Sequence, residues 1–226
     1  MSTIYHVLSR GVDKRKIFLD DQDRFRFIHD LFEFNNQERV NTTFYEFNKS
    51  NDIASRKIKI KRRERKLLAN IHAFTLMSNH YHILLSPKID GGIAKFMKKL
   101  NMGYAKYFDE KYDRKGALFE GRYKRVLVTS DAHLTHLPFY IHLNPLDLFS
   151  PEWRDRKLKN YKESIAFLNR YRWSSHMDYC GIRNFPSVTN RSFLLEIFGK
   201  EKGYKESLEK WLGNLDLKSL EGATLE

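Results

Sequence analysis

Two apolar segments separated by only two residues constrain the fold of this chain more than any other feature. Residues 71–77 and 80–86 are rich in aliphatic and aromatic side chains, and Ser78 and Asn79 between them are typical turn residues. Two such segments joined by so short a turn predict a pair of antiparallel strands. We therefore expect a hairpin in the middle of an antiparallel sheet.

The segments around this hairpin alternate between strand and helix patterns. Strands are predicted at residues 4–9, 40–47 and 126–129, and helices at residues 22–34, 93–108 and 132–144. This order predicts an α+β fold, a ferredoxin-like sandwich with a mainly antiparallel sheet and helices on one face. Residues 1–150 are expected to form this domain, and residues 151–226 to form a C-terminal loop and helical extension packed on it.

The charge balance indicates an anionic partner. Lys and Arg number 41 against 28 Asp and Glu, a formal net charge of +13. Nucleic acid is the first candidate for such a basic chain. No apolar run approaches the ~18 residues of a membrane helix, and the single cysteine, Cys180, excludes an internal disulfide. Both features favour a cytoplasmic location.

A pair of histidines opens the second strand of the predicted hairpin. His80 and His82 stand two residues apart, so their side chains point to the same face and can approach one ion. A His-x-His pair taken alone is more often incidental than a metal site. Imidazole nitrogens favour Mn²⁺, Co²⁺ or Zn²⁺ over Mg²⁺ unless oxygen ligands complete the site.

A tyrosine on the last predicted helix is a candidate nucleophile. Tyr140 and Asn144 stand four residues apart, on one helix face. A phenol with a pKa near ~10 is a poor nucleophile at neutral pH, but it can attack a phosphate whose oxygen is polarised by a divalent cation. Tyr104 and Tyr107 are rival nucleophiles, although their apolar stripe favours packing. Pro138 predicts either a bend before Tyr140 or a helix that begins late.

Two basic segments are candidates for contact with a nucleic-acid backbone. Residues 114–125 combine two glycines with five cations and two aromatics, which suits a phosphate backbone. Eight of the eleven residues 56–66 are Lys or Arg, and this tract suits a solvated hairpin flank equally well. The candidate DNA-binding side chains are Arg10, Arg114, Lys115, Arg122, Lys124 and Arg125.

Five short motifs occur in a fixed order along the chain. They are HVLSRG at 6–11, LMSNHYHILL at 76–85, GALFEGRYK at 116–124, YIHLNP at 140–145 and YRWSSH at 171–176. Together they resemble the single-tyrosine HUH transposases, which carry an IS200-like transposase domain, and most closely the REP-associated tyrosine transposases. Each motif alone is a weak indication of this resemblance, whereas the five motifs in this order are specific for it.

The resemblance implies a metal-dependent transposase that acts on single-stranded DNA. It implies that His80, His82 and Asn144 hold a divalent metal, Mg or Mn. Tyr140 would attack a phosphodiester, form a 5′-phosphotyrosine and release a 3′-hydroxyl. The substrate implied is hairpin DNA formed by a palindromic repeat. Asn144 is shorter than the Gln of compact relatives, which implies a metal contact through water.

Three functions are compatible with these residues. The first is DNA strand transfer through Tyr140, and the second is a domesticated protein that binds hairpin DNA or RNA without cleaving it. The third is metal-dependent hydrolysis by activated water, which does not need Tyr140. The four candidate residues together favour strand transfer, because a protein that only binds has no need of them. A monomer is favoured over a homodimer.

Overall fold

One antiparallel sheet forms the centre of the protein. The computed structural model describes residues 3–38, 65–155, 158 and 160–214, except for the side chains of 213 and 214. The sheet has the order β2-β3-β1-β4 and consists of β1 (Tyr5–Arg10), β2 (Ala69–Leu76), β3 (His80–Pro87) and β4 (Lys124–Leu127). The predicted hairpin is confirmed, and β1 lies between β3 and β4. The strand predicted at 40–47 and most of the 56–66 tract lie outside the described residues.

Three long helices follow the strands closely in the chain. They are α1 (Asp21–Glu33), α2 (Gly92–Tyr112) and α3 (Asp131–Leu143). Two 3₁₀ segments, Asn144–Leu148 and Pro151–Asp155, follow α3. The C-terminal helices are α4 (Tyr161–Leu168), α5 (His176–Tyr179), α6 (Ser192–Phe198) and α7 (Lys200–Asn214). None of the described helices is long and apolar enough to cross a membrane.

The start of α1 is set by a capping box. The Asp20 side chain accepts a hydrogen bond from the Asp23 backbone N–H, and the Asp23 carboxylate accepts one from the Asp20 N–H. Phe27, Ile28 and Leu31 form the buried face of the helix. The expected face included Phe25 instead, but Phe25 is exposed and its ring contacts the edge of Trp173. Helical spacing alone did not distinguish the two aromatic positions.

Helices cover both faces of the sheet. The α+β fold and the antiparallel sheet are confirmed, with α1 and α2 on the face that carries Val7 and Ile83. The opposite face, which carries Ala73 and Leu84, packs against α3 and the C-terminal helices. The structure therefore differs from the expected arrangement, in which all helices lie on one face. The physical reason is the continuous apolar run of β3, whose six central residues are buried on both sides of the strand.

A buried polar network attaches α3 to the sheet. His142 on α3 bonds through Nε2 to the Ser175 hydroxyl at 2.7 Å and through Nδ1 to the Tyr204 hydroxyl at 2.8 Å. The Ser175 hydroxyl also accepts a hydrogen bond from the backbone N–H of Phe74 in β2. Because every group in this network is buried and bonded, α3 has a defined position on the sheet.

The helix that carries Tyr140 begins where its cap predicts. Ser130 accepts a hydrogen bond from the His133 backbone N–H, and α3 continues from Asp131 through Pro138 to Leu143. The alternative of a helix that begins late, after Pro138, is therefore wrong. The start at Asp131 leaves room for two full turns before Tyr140.

Candidate active site

The histidine pair lies on β3, beside the end of β1. His80 pairs with Arg10 and His82 with Leu8 in the antiparallel ladder, so both histidines point to the face that α3 covers. The two rings meet edge to face with centroids 5.0 Å apart. His6 on β1 stacks on His82 with ring centroids 5.1 Å apart.

Each histidine of the pair is oriented by a bond to its Nδ1 atom. His80 Nδ1 lies 2.7 Å from the Asn79 side-chain oxygen, and His82 Nδ1 lies 2.9 Å from His6 Nε2. The Nε2 atom of His82 is buried and has no hydrogen-bond partner among the described residues. Metal-binding histidines commonly use one ring nitrogen for the ion and the other for an orienting hydrogen bond. The two imidazoles therefore fit a metal.

Both histidines are held neutral. Burial lowers the pKa of His80 to about 4, and the positive charge of Arg10 adds to this effect. Burial likewise holds the pKa of His82 well below its usual value, with further contributions from His6, His80, Arg154 and Arg10. A neutral imidazole keeps the lone pair that ligation requires. The site is therefore ready for a cation at pH 7 without losing a proton first.

Tyr140 lies on α3 directly over these histidines. Its ring meets the edge of His82 with centroids 6.0 Å apart and the edge of His6 with centroids 6.3 Å apart. The side chain is only 2% exposed. To reach the phenolic oxygen from this arrangement, a phosphodiester must move a neighbouring side chain aside.

The segment that covers Tyr140 contributes an arginine. Arg154, in the second 3₁₀ segment, places Nη1 3.5 Å from the Tyr140 hydroxyl and donates from Nη2 to the Asn144 side-chain oxygen at 3.0 Å. Asp147 accepts from Arg154 Nε and Nη2, each at 2.8 Å. Burial opposes the charged guanidinium, but the bonds to Asp147 raise the pKa of Arg154 above its usual value. Arg154 therefore stays cationic beside the tyrosine.

Asn144 is engaged on both sides of its amide group. Its Nδ2 atom donates to the Tyr140 backbone oxygen at 2.8 Å, and its Oδ1 atom accepts from Arg154. An amide oxygen has two lone pairs, so one remains available for a cation or for a bridging water. Among the described residues, no three His, Cys, Asp or Glu side chains are placed to share a metal ion. The amide of Asn144 is the candidate for a third protein ligand.

The basic loop adjoins the histidine end of the sheet. Glu120 N–H donates to the Arg10 backbone oxygen at 2.8 Å, and Phe119 forms an isolated bridge with Gly11. Arg114 is half-buried against the Phe108 ring at 5.5 Å. The other predicted DNA-binding cations of this region are exposed and comprise Lys115, Arg122, Lys124 and Arg125.

The rival tyrosines lie on the other side of the sheet. The Tyr104 hydroxyl donates to the Ile17 backbone oxygen at 2.6 Å, and the Tyr107 hydroxyl donates to an Asp23 carboxylate oxygen at 3.0 Å. Both side chains belong to the α1 and α2 face of the core. The α2 tyrosines therefore pack and bond within the core, and Tyr140 faces the histidines.

The central part of the chain is similar to a known protein family. Residues 47–144 match the family model described as "Transposase IS200 like". A solved structure described as "Structure of the REP associates tyrosine transposase bound to a REP hairpin" aligns with 81% of this chain and 84% of that chain, at 12% identity and a TM-score of 0.46. No curated protein sequence matches the chain.

Three residues within or near the five motifs were not assigned a role from the sequence. His6 was visible only as a polar residue in an apolar strand, a pattern that signals a buried polar contact. Asp147 and Arg154 follow the YIHLNP motif without a recognisable pattern. They approach Tyr140 only because the two 3₁₀ segments turn the chain back over α3.

Proposed function

We propose that this IS200-like transposase cleaves and rejoins single-stranded DNA through a covalent bond to Tyr140. One observation carries the proposal: the Tyr140 ring rests on the His82 ring, and its hydroxyl lies 3.5 Å from the Arg154 guanidinium. A phenol between the neutral imidazole of His82 and a fixed cation has the neighbours that attack on a phosphate requires. The family match, which spans His80, His82, Tyr140 and Asn144, supports the same chemistry.

The proposed step is a transesterification. The Tyr140 oxygen attacks phosphorus, the bond from phosphorus to the 3′-oxygen breaks, and a 5′-phosphotyrosine and a 3′-hydroxyl result. The phenolic proton passes to water, and the departing 3′-oxygen takes up a proton. Since the phosphodiester energy is retained in the tyrosine ester, a 3′-hydroxyl can reverse the step and join strands with no nucleotide cofactor.

The histidines are proposed to hold the divalent cation, Mg or Mn. His80 and His82 would bind through their Nε2 atoms, with Asn144 contributing directly or through water. A bound cation would polarise a phosphate oxygen. Asn79 and His6 orient the two imidazoles through their Nδ1 atoms.

Hairpin DNA with an unpaired flank is the proposed substrate. The exposed cations of residues 114–125 border Arg10 and the histidine pair, so a backbone held by this loop would lead to Tyr140. Phosphate contacts of this kind position DNA and carry no sequence information by themselves.

One observation favours the second candidate, a protein that binds hairpin DNA without cleaving it. Tyr140 is 2% exposed and is covered by the Arg154 segment. If this segment never opens, the phenol cannot reach a phosphate. Strand transfer therefore requires that the Arg154 side chain and the Tyr140 hydroxyl separate far enough for a phosphate to enter between them.

A denaturing gel separates these functions. Labelled hairpin DNA with unpaired flanks is incubated with Mn²⁺ and either the wild type, Tyr140→Phe or Tyr161→Phe; Tyr161 is exposed on α4 and serves as the matched control. Strand transfer predicts a metal-dependent adduct in the wild type and Tyr161→Phe and none in Tyr140→Phe. Binding with no adduct in any variant would support the silent binder. Cleavage that persists in Tyr140→Phe would indicate hydrolysis by water.

A further inference from the structure

Two arginines approach the histidine pair from separate elements. Arg10 ends β1 and pairs with His80 across the ladder. Arg154 reaches the Tyr140 hydroxyl from the second 3₁₀ segment. Both positive charges act on His80 and on His82. Two guanidinium groups therefore lie near the histidine pair, and one of them contacts the candidate nucleophile.

Arg154 is held rigidly in its position. Two of its nitrogens bond to the Asp147 carboxylate, and the guanidinium lies over the Trp153 ring at 4.8 Å. Trp153 also donates to Asp147 at 2.7 Å, which fixes the carboxylate. A guanidinium oriented in advance loses little conformational entropy when it binds an anion. The Nη1 atom that is not bound to Asp147 is the one nearest the Tyr140 oxygen.

Arg10 has unused hydrogen-bonding capacity. Its Nε atom is buried and has no hydrogen-bond partner within the part of the chain that the structure describes. A buried N–H without a partner is unfavourable, and an anionic oxygen would satisfy it. The backbone oxygen of Arg10 already accepts from Glu120 N–H, so the strand end is fixed while the guanidinium remains available.

We propose that Arg154 is a catalytic residue that holds the scissile phosphate against Tyr140, with Arg10 as a second donor to the same phosphate. This inference rests on the proposed function and names the group that binds the reacting phosphate. Arg154 donates from Nη1 to a non-bridging oxygen while the Tyr140 oxygen bonds to phosphorus and the 3′-oxygen departs. Asp147 is a positioning residue, because it acts on the phosphate only through Arg154.

The salt dependence of DNA binding tests this assignment without relying on cleavage. All proteins carry Tyr140→Phe, and the probe is a fluorescein-labelled DNA hairpin with unpaired flanks, followed by anisotropy. Each phosphate neutralised on a single strand contributes about 0.7 to the slope of log Kd against log salt. Arg154→Gln should weaken binding about tenfold at low salt and reduce the slope by about 0.7. Arg154→Lys should keep the slope and lose part of the affinity.

Arg183→Gln provides the matched control. Arg183 is exposed between α5 and α6, and its removal deletes the same charge away from Tyr140, so the slope should stay that of the parent. Thermal melting identifies any variant that fails to fold, in which case Arg154→Lys carries the test. A well-folded Arg154→Gln with unchanged affinity and slope would overturn the inference, because the guanidinium would then serve only the protein's own contacts. If Arg154→Gln reduces the slope but the protein with Tyr140 intact forms no adduct, the phosphate site is supported and strand transfer is rejected.

Discussion

The guanidinium of Arg154 lies 3.5 Å from the hydroxyl of Tyr140, although the two residues belong to different elements separated by a chain turn. The contact depends on Asp147, which accepts two hydrogen bonds from Arg154. A bidentate pair of this kind fixes direction as well as charge. The carboxylate therefore determines where the cation stands relative to the nucleophile.

Replacement of Asp147 by Asn should slow the covalent step more than it weakens DNA binding. Asn retains an acceptor for Trp153 but loses the charge that fixes Arg154, so we expect adduct formation to slow about tenfold. The Kd for DNA should stay the same or decrease, since one negative charge is removed. Single-turnover adduct rates and anisotropy measure the two effects. Asp155→Asn, an exposed acid beside Arg154 in the second 3₁₀ segment, is the control. Equal losses of rate and affinity would contradict a positioning role for Asp147.

Loss of His6 should weaken metal binding without removing a proposed ligand. His6 Nε2 lies 2.9 Å from His82 Nδ1 and orients the His82 ring. We expect His6→Gln to weaken Mn²⁺ or Co²⁺ binding about tenfold in calorimetry. His29→Gln, on α1 and therefore across the sheet, should leave the affinity unchanged. Unchanged affinity in His6→Gln would mean that His82 does not depend on this bond.

Stability should fall as the pH falls below about 6.5. Burial lowers the pKa of His176 to about 4, so between that pKa and 6.5 the unfolded chain binds a proton that the folded chain does not. The contribution of His176 to the free energy of unfolding is fully present above pH 6.5. Below that pH it decreases by about 1.4 kcal/mol per pH unit. Urea unfolding at pH 7.5 and pH 5.0 should therefore differ by about 2 kcal/mol from this residue alone. His176→Asn should show a correspondingly smaller difference between the two pH values; an undiminished difference would assign the effect to other groups.

A methyl group at Gly103 should destabilise the packing of α2 on the end of α1. A Cβ atom there would lie 2.4 Å from Phe34 Cε2 and 2.6 Å from Phe34 Cζ, so the ring must move. We expect Gly103→Ala to lower the free energy of unfolding by about 1–3 kcal/mol. Adding Phe34→Leu should reduce the cost of the alanine, because the smaller side chain removes the clash. Additive losses in the double variant would contradict this explanation.

The local parts of the fold could be predicted from the sequence because each depends on neighbouring residues. The hairpin followed from two apolar runs and a short turn, and the start of α3 followed from Ser130. The covering of both sheet faces depends on packing between distant segments. The run Ile83-Leu84-Leu85 contained the signal, since consecutive apolar residues in a strand indicate burial on two sides.

The candidate site likewise contains residues that the local sequence could predict and residues that it could not. His80 and His82 are brought together by the period of a strand, and Tyr140 follows from a helix and a specific motif. His6 meets His82 across 76 residues of chain, and Arg154 meets Tyr140 across 14. Contacts of this kind arise from tertiary packing, so no local pattern in the sequence could have predicted the pairing of Arg154 with Tyr140.

The C-terminal motif also completes the sheet, with a consequence for the order of folding. Residues 171–176 run along β2, where Leu76 N–H donates to Trp173 O and Ser175 N–H donates to Phe74 O. During synthesis β2 is made about a hundred residues before this covering segment, since Phe74 and Ser175 are 101 residues apart. Until the segment leaves the ribosome, the part of β2 that it covers lacks this partner. In that interval strand addition by a neighbouring chain would lead to aggregation.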